Sequence, residues 1–190
     1  MNLFSMIIGA ILINNIVLAK FLGVCPFLGV SKNSKSAVGM GLAVIFVIFA
    51  SSMITYALYY LVLVPFGIEY MQLISFILVI AAFVQFVEMF LKKFSPGLYK
   101  SLGVYLPLIT TNCTVLYVTQ NNISEGYNLI QTIVNSIAVP VGFMLVLYIF
   151  SCIRERLDAA DTNPTWKGNP IALVVAGLMA LALAGLAGIA

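Results

Sequence analysis

The sequence predicts an all-α integral membrane protein with six transmembrane helices. The chain of 190 residues is 63% hydrophobic and only 8% charged, whereas soluble domains carry about 25% charged residues. Its mean hydropathy is +1.13, so it cannot cover a water-facing surface with polar side chains. A helix that crosses a bilayer needs roughly 20 mostly apolar residues. Six segments meet that need, at about 3–24, 37–64, 70–91, 102–119, 129–152 and 170–189.

The first segment is interrupted twice, once within its apolar run and once at its end. No Lys or Arg precedes the run, and Asn14 and Asn15 divide it, which is not the pattern of a cleaved signal peptide. We therefore expect residues 1–20 to be retained. The segment ends in Gly-Val-Cys-Pro-Phe-Leu-Gly at 23–29, where glycine and proline weaken a helix. These residues predict that the first helix is broken within the membrane.

A second break is predicted in the fourth segment. Residues 107–113 read Pro-Leu-Ile-Thr-Thr-Asn-Cys and again place a proline, polar residues and a cysteine inside an apolar stretch. Lipid offers no partner for freed N–H and C=O groups, so such breaks survive where protein or a cavity surrounds them. Two breaks in one chain therefore predict a buried site at the discontinuous helices.

The loops between the segments give the orientation in the membrane. Loops after the first, third and fifth segments hold every Lys and Arg except Lys20, while the loops at 65–70 and 120–128 hold none. Basic loops remain in the cytoplasm, so both termini are predicted to lie outside. The long connection at 153–169 is predicted to be solvated and cytoplasmic. Its charged residues include Arg154, Glu155, Arg156, Asp158 and Asp161.

An internal repeat follows from this layout. The single membrane domain, residues 1–190, divides into repeat one at about 1–95 and repeat two at about 96–190, each of three helices and each opening with a broken helix. Because three is odd, the second repeat enters the membrane in the opposite direction. Such inverted-topology repeats place their sites near the midplane, where discontinuous helices meet.

Cys25 and Cys113 occupy corresponding places in the two breaks. Taken alone, a buried cysteine is more often a small apolar residue that fills a gap. A pseudo-twofold axis between the repeats, however, would bring both thiols to the midplane. Thiolates suit a soft metal, and an iron–sulfur cluster usually takes four of them, so a partner chain would supply the rest. A disulfide is the remaining alternative; Cys152 is interpreted as a bystander thiol.

Polar residues near the breaks are candidates for a hydrated cation route. The alternative is that they satisfy freed backbone groups or bridge helices. For Glu88, an i,i+4 pair with Lys92 is a sufficient explanation, although a charge inside a membrane span is commonly functional. The candidates for the route are Asn14, Asn15, Thr110, Thr111, Asn112 and Glu88.

The sequence contains no set of residues that predicts catalysis within this chain. It has no histidine, no CxxC, no phosphate-binding glycine loop and no flavin-attachment motif. Substrate chemistry is therefore expected on partner subunits, and no catalytic residue is predicted here. The basic residues are scattered over separate loops, so no nucleic-acid partner is expected.

Two stretches resemble a known family. Residues 14–31, from Asn14 through Cys25 to Ser31, and residues 105–113, which end at Cys113, are similar to the two motifs of the A-type membrane subunits of Rnf complexes. The likeness extends over essentially the whole chain. The homologous E-type subunits of the sodium-pumping NADH:quinone reductases share these patterns and are the near alternative.

The resemblance implies a non-autonomous subunit of an ion-translocating ferredoxin:NAD+ oxidoreductase in the bacterial cytoplasmic membrane. In that family it pairs with a paralogous six-helix partner of the E type, and each contributes two cysteines to a [2Fe–2S] cluster within the membrane. Cys25 and Cys113 match those ligand positions. The resemblance also implies partner subunits B, C, D and G, which carry flavins and further iron–sulfur clusters, and the transport of Na+ or H+.

A second hypothesis comes from another class of protein. A redox-inactive transporter with an inverted repeat would bind an ion or solute directly at its broken helices. The layout of the segments agrees with this nearly as well. Iron bound through the two cysteines is the property that separates the two hypotheses.

Overall fold

A computed structural model describes residues 3–31, 34–67, 69–94, 112–159 and 168–187. Within these ranges all regular structure is helical, as the composition predicts. The helices are α1 (Leu3–Ile8), a π-helical turn (Gly9–Ile13), α2 (Ile16–Lys20), α3 (Val24–Val30), α4 (Ser34–Leu58), a second π-helical turn (Tyr59–Leu63), α5 (Val64–Phe66), a 3₁₀ turn (Glu69–Met71), α6 (Gln72–Phe94), α7 (Cys113–Ser124), α8 (Leu129–Ala159) and α9 (Asn169–Ala187).

Three helical stretches in the described ranges are long and apolar enough to cross a membrane. They are Ser36–Phe66, Gln72–Met89 and Leu129–Leu157, and a shorter apolar helix covers Asn169–Gly185. These coincide with the second, third, fifth and sixth predicted segments, so the described residues agree with the prediction of an all-α membrane protein. Residues 102–111 of the fourth predicted segment, which include most of its predicted break, lie outside the described residues, and residues 113–119 are helical. The count of six helices and the inverted repeat therefore stay predictions.

The first segment is broken at the predicted interruption, Asn14–Asn15, and a second time slightly before the stretch in which the sequence predicts a break. The chain leaves the helical conformation at Asn14–Asn15 and again around Phe21 and Gly23, whose φ angles of 53° and 78° are left-handed. The residues expected to form the break are instead the helix α3. Pro26 is the third residue of α3, and in the first turn the missing N–H of proline costs nothing. The prediction of a break over 23–29 is therefore confirmed at Gly23 and was wrong for residues 24–29, which are helical.

The helices α7 and α8 form a hairpin with different limits from those predicted. α7 continues to Ser124, beyond the predicted end at 119. A short turn at 125–128 follows, in which Gly126 adopts a φ of +64°. α8 then runs unbroken through Pro140 to Ala159. The predicted solvated connection at 153–169 is therefore helical in its first part.

The described part of the chain forms two compact units. Unit 1 comprises Met1–Leu42 and Ala138–Ala190, and unit 2 comprises Ala43–Ile137. In unit 1, the ring of Phe27 stacks on that of Phe150, with centroids 4.2 Å apart and planes inclined by 24°. In unit 2, α6 packs against α7, and each of these helices buries apolar side chains, such as Phe76 on α6 and Val118 on α7.

Unit 2 is also held together by amide groups inside its α7–α8 hairpin. Asn135 Nδ2 donates to Asn122 Oδ1 at 2.6 Å, and Asn122 Nδ2 donates to Ser136 Oγ at 3.1 Å. All three side chains are buried. In a membrane protein, hydrogen bonds between helices take over part of the role that hydrophobic packing has in water. The three residues therefore fix the two helices side by side.

Candidate functional site

Cys25 is the second residue of α3. The helix begins at Val24 after Gly23, so Cys25 lies inside its first turn, whereas the sequence predicts it within a non-helical break. Its thiol is exposed, whereas the next two residues, Pro26 and Phe27, are buried. The packing of Phe27 in unit 1 thus holds the helix and leaves the thiol at the surface of the unit.

Cys113 is the first residue of α7. Asn112 precedes it as the N-cap, and its Oδ1 accepts a hydrogen bond from the backbone N–H of Thr114 at 3.1 Å. An amide oxygen at this position satisfies one of the N–H groups that a helix leaves without an internal acceptor. The Cys113 thiol is exposed, while Asn112, Thr114 and Val115 are buried.

The two cysteines therefore share one local arrangement. Each thiol lies in the first turn of a helix, is exposed, and is followed by residues buried in its own unit. First-turn N–H groups carry partial positive charge and favour an anionic group nearby.

Each of the three cysteines carries a thiol. Within the described ranges, no three side chains among Cys, Asp and Glu group together so as to hold a metal ion. Two thiolates are half of the four that a cluster usually takes. The donors in this chain therefore fit an iron–sulfur cluster only if a second chain supplies the remaining ligands.

Asn15 has a structural role that accounts for all of its polar atoms. The side chain is 2% exposed, and its Oδ1 accepts from the backbone N–H of Val17 at 3.2 Å as the N-cap of α2. Its Nδ2 donates to Ile11 O at 3.2 Å and to Gly142 O at 2.9 Å. Of the two alternatives for Asn15, the geometry favours satisfaction of freed backbone groups.

A glycine makes the contact with Asn15 possible. A Cβ added at Gly142 would lie 3.0 Å from Ile11 O and 3.1 Å from Asn15 Nδ2. Any larger residue at 142 would therefore push against the backbone of Ile11 and the Asn15 amide, so glycine suits this approach between the first segment and α8.

The other candidates for an ion route differ from Asn15 in exposure, in hydrogen bonding or in their place in the chain. Asn14 is exposed, and Glu88 is half-buried on α6, the helix that packs against α7. Asn112 differs from Asn15, because its Nδ2 is buried and has no partner among the described residues. Thr110 and Thr111 lie outside those residues.

The structure adds a residue that the sequence interpretation placed wrongly. Arg154 was expected in a solvated cytoplasmic connection, yet it is buried in unit 1 and bonded to the end of α3. The signal was available, because Arg154 continues the helical spacing of Phe143, Leu147 and Phe150, all of which are buried. The charge of Arg154 favours a solvated loop, whereas its helical spacing indicates a buried position, and the structure agrees with the spacing.

Comparison with known proteins agrees with the resemblance in the motifs. Residues 3–190 match the model of a family described as Rnf-Nqr subunit, membrane protein. The chain is 54% identical over 188 residues to the A-type member of the Na(+)-translocating ferredoxin:NAD(+) oxidoreductase complex of Acetobacterium woodii, a match that covers 99% of this chain and 98% of that protein.

Two further relatives are named as the A-type members of an ion-translocating oxidoreductase complex. The protein of Syntrophotalea carbinolica is 52% identical over 99% of this chain and 97% of its own length. That of Vibrio cholerae is 52% identical over 97% of this chain and 95% of its own length. With a family match over nearly its whole length and relatives of this identity, the chain belongs to the Rnf-Nqr family of membrane protein subunits.

Proposed function

We propose that this chain is the A-type membrane subunit of an ion-translocating ferredoxin:NAD+ oxidoreductase complex. In this role it passes electrons through a [2Fe–2S] cluster whose ligands it shares with a paralogous E-type partner. The observation that carries the proposal is the common setting of Cys25 and Cys113. Both are exposed thiols in the first turn of a helix whose following residues are buried.

Exposure of both thiols is unusual for cysteine in an apolar chain. Free cysteine is among the residues most often buried and behaves as a small hydrophobic side chain. Here the nearby aromatic and aliphatic side chains are buried while the thiols are not. Thiols at the surface of a unit are accessible to a second polypeptide, which a cluster with four thiolate ligands requires.

In the proposed site, Cys25 and Cys113 would hold iron, and the cluster would supply one-electron transfer. Asn112 would contribute by capping α7, because its bond to Thr114 N fixes the helix start at Cys113. The first-turn N–H groups of the two helices would counter the negative charge of thiolates. The side chains around them, such as Phe27 and Val115, would exclude water.

We further propose the membrane arrangement that the sequence predicts. The chain would cross the bacterial cytoplasmic membrane six times as two inverted three-helix repeats, with both termini outside. Partner subunits B, C, D and G would carry the flavins and the other iron–sulfur clusters, and would contact ferredoxin and NAD. The relative in Acetobacterium woodii is named as Na(+)-translocating, which supports Na+ as the transported ion, with H+ as the alternative.

Electron transfer would be coupled to ion transport through the charge that the cluster gains on reduction. One electron added to a cluster in low dielectric adds a negative charge that attracts a cation. Asn112 has a buried amide group with no partner among the described residues, and Glu88 lies on the adjoining helix α6. The remaining candidates to line the route are these two residues together with Asn14, Thr110 and Thr111. Asn15 is less suited to it, since its polar atoms are already bonded to backbone.

The test replaces each cysteine in the assembled complex. Cys25→Ser and Cys113→Ser should each abolish one cluster signal in electron paramagnetic resonance, because a serine hydroxyl is a poor ligand for iron in this setting. Cys152→Ser is the matched control and should leave that signal intact. Cys152 is half-buried well inside α8, away from any helix start.

Survival of the signal in both variants, with normal electron transfer, would contradict the proposal. Iron analysis gives a second measurement. A purified complex whose iron content does not fall in either variant would instead favour a redox-inactive transporter.

A further inference from the structure

Arg154 is a buried cation in unit 1, with only 2% of its surface exposed. Removing a guanidinium from water is costly unless its N–H groups find acceptors. A residue needed only to orient the chain in the membrane would remain in solvent. The position of Arg154 therefore calls for a role inside the unit.

The bonds of Arg154 converge on one short helix. Its Nη1 donates to Leu28 O at 2.8 Å and to Ser31 Oγ at 2.7 Å, and its Nη2 donates to Asn169 Oδ1 at 3.2 Å. Leu28 lies in the last turn of α3 and Ser31 directly follows it. One nitrogen of the guanidinium thus holds the C-terminal end of α3, and the other binds the first residue of α9.

α3 needs such an anchor because it has only seven residues. Isolated helices shorter than about 12 residues are marginal, so tertiary contacts must stabilise this one. Two contacts come from the same side of α8. Phe150 stacks on Phe27, and Arg154, one turn later, binds the end of the helix. A cation at a helix C-terminus also complements the partial negative charge of the last carbonyl groups.

The other end of α3 carries Cys25 in its first turn. We propose that Arg154 is a positioning residue, which holds the C-terminal end of α3 and thereby fixes the place of the Cys25 thiol. It acts through the helix and does not touch the thiol. The inference rests on the proposed function, because metal ligands must be held within about 0.5 Å of their productive geometry.

The test compares three variants in the assembled complex. Arg154→Met keeps the length of the side chain but removes its three hydrogen bonds, and Arg154→Lys keeps the charge but not the planar set of donors. Arg156→Met is the control, since Arg156 is exposed on the same helix. The readouts are the midpoint potential and line shape of the Cys25-dependent paramagnetic signal, and hydrogen–deuterium exchange of α3.

Arg154→Met should shift the midpoint potential, alter the line shape and raise deuterium uptake by α3 several-fold. Arg154→Lys should restore part of each property, and Arg156→Met should match the wild type. If Arg154→Met fails to assemble, Ser31→Ala replaces it, because that variant removes one acceptor and keeps the arginine. Ser31→Ala should shift the same properties in the same direction by less.

A wild-type potential and line shape in Arg154→Met, or in Ser31→Ala where that variant is used, would overturn the positioning role even if α3 exchanges faster. Failure of the proposed function would give a different experimental result. In that case the wild-type complex shows no signal that depends on Cys25, and the positioning role falls with it. The two failures are therefore distinguished before any arginine variant is measured.

Discussion

At the scale of single residues, two asparagines show how one side chain serves different ends in the two units. Asn15 and Asn112 are both buried N-caps, and each accepts a bond from the backbone N–H two residues later. The amide nitrogen of Asn15 is fully used, whereas that of Asn112 is buried without a partner in the described ranges. Asn15 is therefore a fixed structural element, whereas the amide nitrogen of Asn112 is the group that the proposed ion route would use.

Asn15→Leu should destabilise the complex, because it leaves Val17 N–H and Ile11 O buried without their partner. Each unsatisfied backbone group costs roughly 1–3 kcal/mol, so the two groups together predict a loss on the order of 2–6 kcal/mol. Thermal unfolding in detergent, followed by circular dichroism, measures it. Asn14→Leu is the control, since Asn14 is exposed. Equal melting temperatures for the two variants would contradict the bonding described for Asn15.

At the scale of elements, polar side chains pair helices that are otherwise apolar. The α7–α8 hairpin of unit 2 is joined by Asn122, Asn135 and Ser136, and α3 of unit 1 is joined to α8 by Arg154. Each set lies on a helix face that continues buried apolar residues. In both units, polar residues therefore specify which helix faces meet.

A double-mutant cycle tests the hairpin. Asn122→Leu or Asn135→Leu alone leaves the other amide buried without its partner, while the double variant removes both. The double variant should therefore be less destabilised than the sum of the single variants, with a coupling of about 0.6–1.7 kcal/mol, as found for hydrogen bonds between membrane helices. Melting temperature is again the readout. Additive effects would show that the observed 2.6 Å bond does not contribute to stability.

Asn121→Leu serves as the matched control for this cycle. Asn121 is half-buried on the same helix and accepts a bond from the Tyr117 hydroxyl at 3.3 Å, within α7. Because that bond does not reach α8, its loss should not couple to Asn135→Leu. A coupling as large as that of Asn122 would indicate a general effect of polarity in α7.

At the scale of the whole molecule, the proposed function joins electron transfer to ion movement. A chain with 8% charged residues has few fixed charges within the membrane to attract a cation. A charge that appears only on reduction is then the strongest available attraction. Transport should accordingly depend on electron flow.

Proteoliposomes containing the complex should take up radioactive sodium only when reduced ferredoxin and NAD are both supplied. Cys25→Ser should abolish this uptake together with electron transfer, and Cys152→Ser should retain both. If the transported ion is instead H+, the interior of the same vesicles should acidify during electron flow. Sodium uptake in the absence of ferredoxin and NAD would contradict coupling through the cluster.

The sequence by itself determined the class of the protein and four of its apolar helices, and it singled out Cys25 and Cys113 as candidates. These conclusions depend only on composition and on local patterns. It also located the polar interruption at Asn14 and Asn15. Only the tertiary structure showed that Val24–Val30 forms a helix and that Arg154 is buried. The physical reason is the same for both. A short helix is stable only through contacts with distant residues such as Phe150, and a cation is buried only where acceptors from elsewhere in the chain surround it.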